Sequence, residues 1–231
     1  MAPRLDPEGR ESLEGSIKWN SDNLDVATLL NQLYEPSSKV SSSKSQPVYL
    51  YLSVIIPAYN EAERLPASLP STIAYLSQRA RAGSTFRYEI IIVDDGSSDE
   101  TGKGFATRIG AQCSRGDYIL MADADGATLF SDLGKLETAL LCGDHDTQCG
   151  FKLFSRKSAR SLFPSLHINR WAFDVELIVL ASIFNYRIAE IPVDWREIPG
   201  SKLQPIAAAV QMARDLVTIR LCYSLGIWKA K

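Results

Sequence analysis

The chain has 231 residues, 45% of them hydrophobic and 23% charged, and its 27 acidic and 25 basic side chains leave a net charge of −2. Such a composition excludes collagen-like and wholly disordered chains and leaves room for one domain with a sizeable core plus tails. It also excludes nucleic-acid binding driven by bulk charge, because a nearly neutral chain releases few counterions from a phosphate backbone.

The charge is unevenly placed. Residues 1–46 carry seven acids and five bases, whereas residues 201–231 carry Lys202, Arg214, Arg220, Lys229 and Lys231 against Asp215 alone. The four cysteines are scattered through a chain too large to need stapling, which favours reduced thiols. Cys142, His145 and Cys149 could be zinc ligands, but the second half of a closed four-ligand site is missing from the spacing. No run reaches the roughly 20 apolar residues of a spanning helix, and there is no basic-then-apolar secretory leader.

In chain order, residues 1–46 are polar, with serines clustered at 37–45, and read as a flexible leader. From Val48 the pattern becomes α/β. Tyr49 to Pro57 is a β-prone apolar run, and Glu61 to Arg81 is helical with Leu65, Leu69, Ile73 and Leu76 on one face. Tyr88 to Val93 is apolar almost throughout, as in a strand covered on both faces of a parallel sheet. A crossover helix fits Gly104 to Ser114 and a third strand fits Asp117 to Ala122. Helices follow at Phe130 to Leu141 and Ala172 to Phe184, with a basic cluster of Lys152, Arg156, Lys157 and Arg160 between them. Tyr186 to Val193 resembles a further strand. Pro205 to Trp228 reads as an amphipathic helix with Ile206, Val210, Ala213, Val217, Leu221 and Leu225 on its apolar side and a basic polar side.

Chemistry concentrates where strands end, which is where open α/β sheets bind ligands. Asp123 and Asp125 flank Ala124 after the third strand. Residues two apart in an extended chain point the same way, so both carboxylates converge on one object, and a hard Mg²⁺ or Mn²⁺ bridging to substrate phosphates would neutralise them. A capped turn explains the same residues without a ligand. After the second strand comes Asp94-Asp95-Gly-Ser-Ser-Asp, and after the first Pro57-Ala-Tyr59-Asn-Glu61. There Tyr59 can stack on a base while carboxylates accept hydrogen bonds from ribose or sugar hydroxyls.

Taken in that order, the three strand ends closely resemble the inverting glycosyltransferases that use nucleotide-sugar donors on a GT-A fold. Asp146-Thr-Gln-Cys-Gly-Phe-Lys-Leu-Phe, Arg170-Trp-Ala-Phe-Asp-Val-Glu-Leu, and the Ile188 to Leu203 segment resemble its polyprenyl-phosphate branch. The resemblance implies a mostly parallel sheet with flanking helices over residues 47–204, followed by the basic helix of 205–231. It implies glucose transfer from UDP-glucose to dolichyl phosphate at the cytosolic face of the endoplasmic reticulum membrane, in service of protein N-glycosylation.

Carried over residue by residue, it implies that Pro57, Tyr59, Glu61, Val93 and Asp95 hold the uridine end of the donor. Asp123, Ala124 and Asp125 would hold the metal and diphosphate, with Arg196 and Lys202 as a cationic clamp on the phosphates. Asp125 and Asp174 are the catalytic candidates. Asp174 positions or assists the acceptor, since a phosphate monoester is largely ionised near neutral pH and needs no obligatory base. The basic cluster and the basic helix are candidates for receiving the lipid phosphate and touching the membrane surface. The readings kept beside this one are a non-catalytic nucleotide-sugar-binding protein and a related mannosyltransferase using GDP-mannose. A sugar nucleotidyltransferase is disfavoured by the lack of a glycine-rich phosphate loop after the first strand.

The sequence departs from the family in two internal places. Thr101 runs directly into Gly102-Lys-Gly-Phe-Ala-Thr-Arg108, where the family has the rest of a helix and a further strand. Between Leu141 and Asp146 the family has a strand, a Gly-Ser-Arg segment whose arginine serves the donor phosphates, and an apolar stretch. The family's N-terminal membrane anchor has no counterpart either, so the chain reads as a shortened form.

Overall fold

The structure is a computed structural model that describes residues 49–59, 61, 64–83, 85–94, 103–141, 150–196, 198 and 205–230. The chain divides into two units, 1–41 and 42–231; the first, with the leader expected at 1–46, lies outside the described residues. So do Asp95, Lys202 and the Cys142, His145 and Cys149 trio.

The second unit is built on a four-stranded sheet. Its strands are β1 (Leu52–Ala58), β2 (Tyr88–Asp94), β3 (Tyr118–Met121) and β4 (Lys152–Ser155), ordered β2-β1-β3-β4. β1 pairs in parallel with β2 and β3, and β4 closes the edge antiparallel to β3. Every residue of β1 is buried, as a central strand flanked by helices demands.

Helices α1 (Leu65–Ala82) and α2 (Lys103–Cys113) follow β1 and β2. α1 starts with Pro66 in its first turn, where a missing N–H leaves no intrahelical bond unmade, and buries Leu65, Leu69, Ile73 and Leu76, the face predicted from spacing. A single 3₁₀ turn, Phe130–Asp132, leads into α3 (Leu133–Leu141). α4 (Arg156–Leu162) and α5 (Phe173–Ile183) pack on the β3–β4 side. There Ile119, Met121, Phe154, Leu162, Phe163, Phe173, Leu177 and Leu180 form one buried apolar cluster. Fully burying side chains of that size stabilises by about 1.5–3 kcal/mol each, so this cluster fixes α5 to the sheet.

Three expectations need correction. Tyr186 to Val193 is not a strand: it has no ladder partner among the described residues, and an isolated bridge from Trp195 to Thr128 is all that follows it. β3 stops at Met121, so the Asp-Ala-Asp segment lies in a turn and not in extended chain. The basic cluster is split: Lys152 opens β4, while Arg156, Lys157 and Arg160 belong to α4, whose start is capped by the Ser155 hydroxyl accepting from Ser158 N–H.

The last helix is α6 (Pro205–Ser224), within the segment expected to be helical at Pro205 to Trp228. Val210, Ala213, Val217, Leu221 and Leu225 face outward, with Val217 58% and Leu225 70% exposed, while Asp215 and Ile219 turn inward. No helix of the described residues is long and apolar enough to cross a membrane.

Candidate active site

Parallel strands deliver their carboxyl ends to one edge of the sheet. In register, Pro57 lies beside Val93 and Ala58 beside Asp94, so the two segments expected to hold a nucleoside are neighbours by strand pairing. Tyr59 follows β1 with its ring 56% exposed, free to stack on a planar ligand. Glu61 is buried. Its carboxylate accepts from Arg64 Nε at 2.5 Å and from the second guanidinium arm, and its carbonyl receives Leu65 N–H at the start of α1. Arg64 reaches on to within 4.0 Å of Asp125 Oδ2, so one guanidinium spans the first and third strand ends. Sequence reading passed over Arg64.

The Asp123-Ala-Asp125 turn is tied down from several directions. Ser68 Oγ of α1 donates to the Ala124 carbonyl at 2.7 Å, and Asp125 Oδ1 accepts from Ala127 N–H at 2.9 Å. The capping reading of Asp125 is therefore true of one of its oxygens, and the other is left to face Arg64. Arg196 is brought to this turn by backbone pairing: its N–H donates to the Ala127 carbonyl at 2.8 Å, and Leu129 N–H donates to the Asp194 carbonyl at 3.1 Å. The Arg196 side chain is exposed.

Asp123 meets Lys103, the first residue of α2, with Nζ 2.5 Å from Oδ1. Burial alone would lower the lysine's pKa, but Asp123, with Asp174 and Asp125 behind it, holds it above the ordinary value and keeps it charged. Lys103 is placed by Gly104. A Cβ there would lie 2.8 Å from Phe173 Cβ, so only glycine lets the start of α2 approach α5 so closely. The other Asp123 oxygen lies against Gly150, where a Cβ would come within 2.0 Å of Oδ2.

Asp174, in the first turn of α5, faces Lys152 Nζ at 3.3 Å. Because β4 runs antiparallel, its first residue pairs with the last of β3, Met121, and Lys152 therefore emerges at the same edge as the Asp-Ala-Asp turn. Lys152 is fully buried. Burial pushes the Asp174 carboxyl up, Lys152 and then Lys103 pull it back, and the balance leaves it above the usual range. Oδ1 of both Asp123 and Asp174 is shielded from water without a well-aligned hydrogen bond, so the two lysines answer them by charge.

Glu176, two residues on, is completely buried. It accepts from His167 N–H at 3.0 Å, Ile168 N–H at 2.7 Å and Tyr223 Oη–H at 2.8 Å. Trp228 stacks on His167 with ring centroids 4.4 Å apart, so the end of the chain is fastened to the helix that carries Asp174. The Gln211 amide, oriented with its oxygen toward Arg170, adds a contact of 3.2 Å from Arg170 Nε.

The donor set fits a hard divalent cation. Two carboxylates flank one turn and glycine leaves room at Asp123; among the described residues no group of three or more His, Cys, Asp and Glu gathers, so the protein would supply two ligands at most. Mg²⁺ and Mn²⁺ commonly take only one or two protein carboxylates and complete their shells with water and phosphate oxygens.

Comparison with known proteins gives the family and the fold. The profile of Glycosyl transferase family 2 matches residues 53–104. A Dictyostelium discoideum protein named dolichyl-phosphate β-glucosyltransferase is 41% identical over 253 residues, covering 79% of this chain and 77% of its own length. The Homo sapiens protein of that name is 40% identical over 250 residues, covering 77% of each. In the first alignment, 79% of this chain is about 182 residues, which leaves about 71 of 253 positions without a residue here. Such a shortfall accords with internal gaps of the kind read from the motifs.

Among solved structures, glucosyl-3-phosphoglycerate synthase of M. tuberculosis superposes with a TM-score of 0.57 at 18% identity, over 74% of this chain and 79% of its own. The same enzyme solved with Mn²⁺ and UDP-glucose gives 0.51 at 15% identity, over 74% of this chain and 78% of its own. These likenesses establish the GT-A fold. From sequence and fold together, this chain belongs to the dolichyl-phosphate β-glucosyltransferases of glycosyltransferase family 2.

Proposed function

We propose that this chain transfers glucose from UDP-glucose to dolichyl phosphate, with inversion at the anomeric carbon, at the cytosolic face of the endoplasmic reticulum membrane. The observation that carries the reading is the Asp123–Asp125 turn set at one sheet edge with the Lys152–Asp174 pair, whose lysine is buried. One side suits a diphosphate with its metal; on the other, the Lys152 ammonium behind Asp174 offsets negative charge brought by an acceptor. The relatives' shared name favours glucose over the mannosyl alternative.

In this reading Pro57, Tyr59, Glu61, Val93 and Asp95 hold the nucleoside, with Arg64 fixing the Glu61 carboxylate. Arg196 and Lys202 neutralise the diphosphate. A divalent cation held by Asp123 and Asp125 would stabilise the charge that grows on the leaving diphosphate. An oxygen of the lipid phosphate attacks C1 of glucose as the bond from C1 to the β-phosphate oxygen breaks, and the electron pair leaves on UDP. Lys152 offsets the charge of the incoming phosphate. Asp174, held by Lys152, orients the acceptor and takes no proton, because the phosphate arrives largely ionised.

Residues 47–204 form the catalytic part in this reading, and α6 lies on the bilayer. The outward apolar row of α6, with exposed Arg214 and Arg220 beside it, suits an interfacial helix on an anionic membrane surface. A second reading, a nucleotide-sugar-binding protein without turnover, is favoured by one observation, the roughly 71 alignment positions that this chain lacks.

The two separate in one experiment. Purified protein is incubated with labelled UDP-glucose, Mn²⁺ and dolichyl phosphate, and label is followed into the organic phase. Lipid-linked glucose supports the transferase. Metal-dependent UDP-glucose binding without lipid product leaves the binding protein.

A further inference from the structure

The Lys103 ammonium lies 2.5 Å from Oδ1 of Asp123, one of the two carboxylates that would hold a divalent cation. The opposite oxygen, Oδ2, faces Gly150, whose lack of a Cβ leaves space beside it. Two cations held on one carboxylate repel, and a half-buried site screens that repulsion poorly, so each weakens the hold of the other. The lysine is the one that can give way. Lys103 has somewhere to go: its ammonium is already 5.6 Å from the centroid of the Trp171 ring, which is 46% exposed, and Asp174 lies among the charges acting on it. Its side chain also keeps 17% of its surface in solvent, unlike Lys152, so the movement requires no opening of the core.

We propose that Lys103 is an exchangeable resident cation, which occupies Asp123 while the site is empty of metal and is displaced when a divalent cation binds. This rests on the reading of Asp123 and Asp125 as the metal ligands. Removing the lysine's charge therefore strengthens metal binding, whereas a lysine that helped to hold the metal or merely shaped the turn would have the opposite effect or none.

The test is Mn²⁺ binding to the full chain without nucleotide, read from the electron paramagnetic resonance signal of free Mn²⁺, with thermal unfolding as a check on the fold. Lys103→Met keeps the length of the side chain and removes its charge; Lys103→Gln serves as the second variant. Both should bind Mn²⁺ about tenfold more tightly than the wild type, the factor expected for relieving one charge-assisted contact. Adding Asp123→Asn to Lys103→Met should abolish the gain. Unchanged or weaker binding in both folded lysine variants overturns the proposal, as does failure of every form to bind. If Asp123→Asn and Asp125→Asn abolish Mn²⁺ binding while the lysine variants bind no tighter, only the exchange is wrong. If the aspartate variants bind as well as wild type, the metal assignment has failed and the exchange with it.

Discussion

Two lysine–aspartate pairs flank the same sheet edge, and they are built on different terms. Lys103 and Asp123 sit 2.5 Å apart with 17% and 34% of their side chains exposed. Lys152 and Asp174 sit 3.3 Å apart with 1% and 32% exposed. The first lysine begins a helix and can leave along its surface; the second is held on a strand beneath α5 and cannot leave without unfolding. A charge that must be exchanged during a catalytic cycle belongs in the first setting. One that must be present throughout belongs in the second.

Four perturbations break or sharpen that contrast. Asp123→Ala should be the most damaging to turnover, lowering glucosyl transfer about a thousandfold, or about 4 kcal/mol in the barrier, with little change in melting temperature. The organic-phase assay with a thermal melt reads both. Lys152→Met should act on the fold itself, lowering stability by about 3 kcal/mol in denaturant titration, because it strands a half-buried carboxylate. Adding Asp174→Asn should recover most of that loss without recovering transfer. Should Lys152→Met prove as harmless to folding as Lys103→Met, the two pairs would not differ in kind.

Glu176→Gln keeps the shape and removes the charge that draws His167, Ile168 and Tyr223 together. About 1.5 kcal/mol of stability should be lost, the scale of hydrogen bonds to a charged acceptor. The smallest effect is a pH dependence. Asp174 has its carboxyl pushed up by burial, so the folded state binds its proton more tightly than the unfolded chain does. That contribution is fully present below the ordinary carboxylate pKa and fades as pH rises through the higher folded value. Wild type should therefore lose stability relative to Asp174→Asn across that interval, by less than about 1 kcal/mol per pH unit for a modest shift. A difference between the two proteins that stays flat with pH would show that Lys152 fully compensates the carboxylate.

The sheet edge that gathers the donor-side candidates was legible because it lies on long, regular features. β1 and β2 are mostly apolar, and the polar residues at their carboxyl ends mark the edge where open α/β sheets bind ligands. The β4 side was not. β4 has four residues, too few for a periodic signal, and Lys152 with Arg156, Lys157 and Arg160 has a spacing that looks like one helix face. The strand-to-helix change at Ser155 splits that group, sending Lys152 to the site while Arg156 turns away to pair with Asp117. Lys103 was read as part of a glycine-rich motif, and nothing in sequence pairs it with Asp123, twenty positions on. Tyr186 to Val193 misled for the converse reason: it is rich in apolar residues, yet among the described residues it pairs with neither outer strand of the sheet, β2 or β4.

The outward apolar row of α6 has a practical corollary. Side chains such as Val210, Val217, Leu221 and Leu225 are held facing solvent because the inward contacts of the helix are made by Gln211, Asp215, Ile219 and Tyr223. In dilute buffer such a ridge is adhesive. Preparations should self-associate as concentration rises and disperse on addition of a mild detergent, while a charge introduced at Val217 should let the same protein remain monomeric without one.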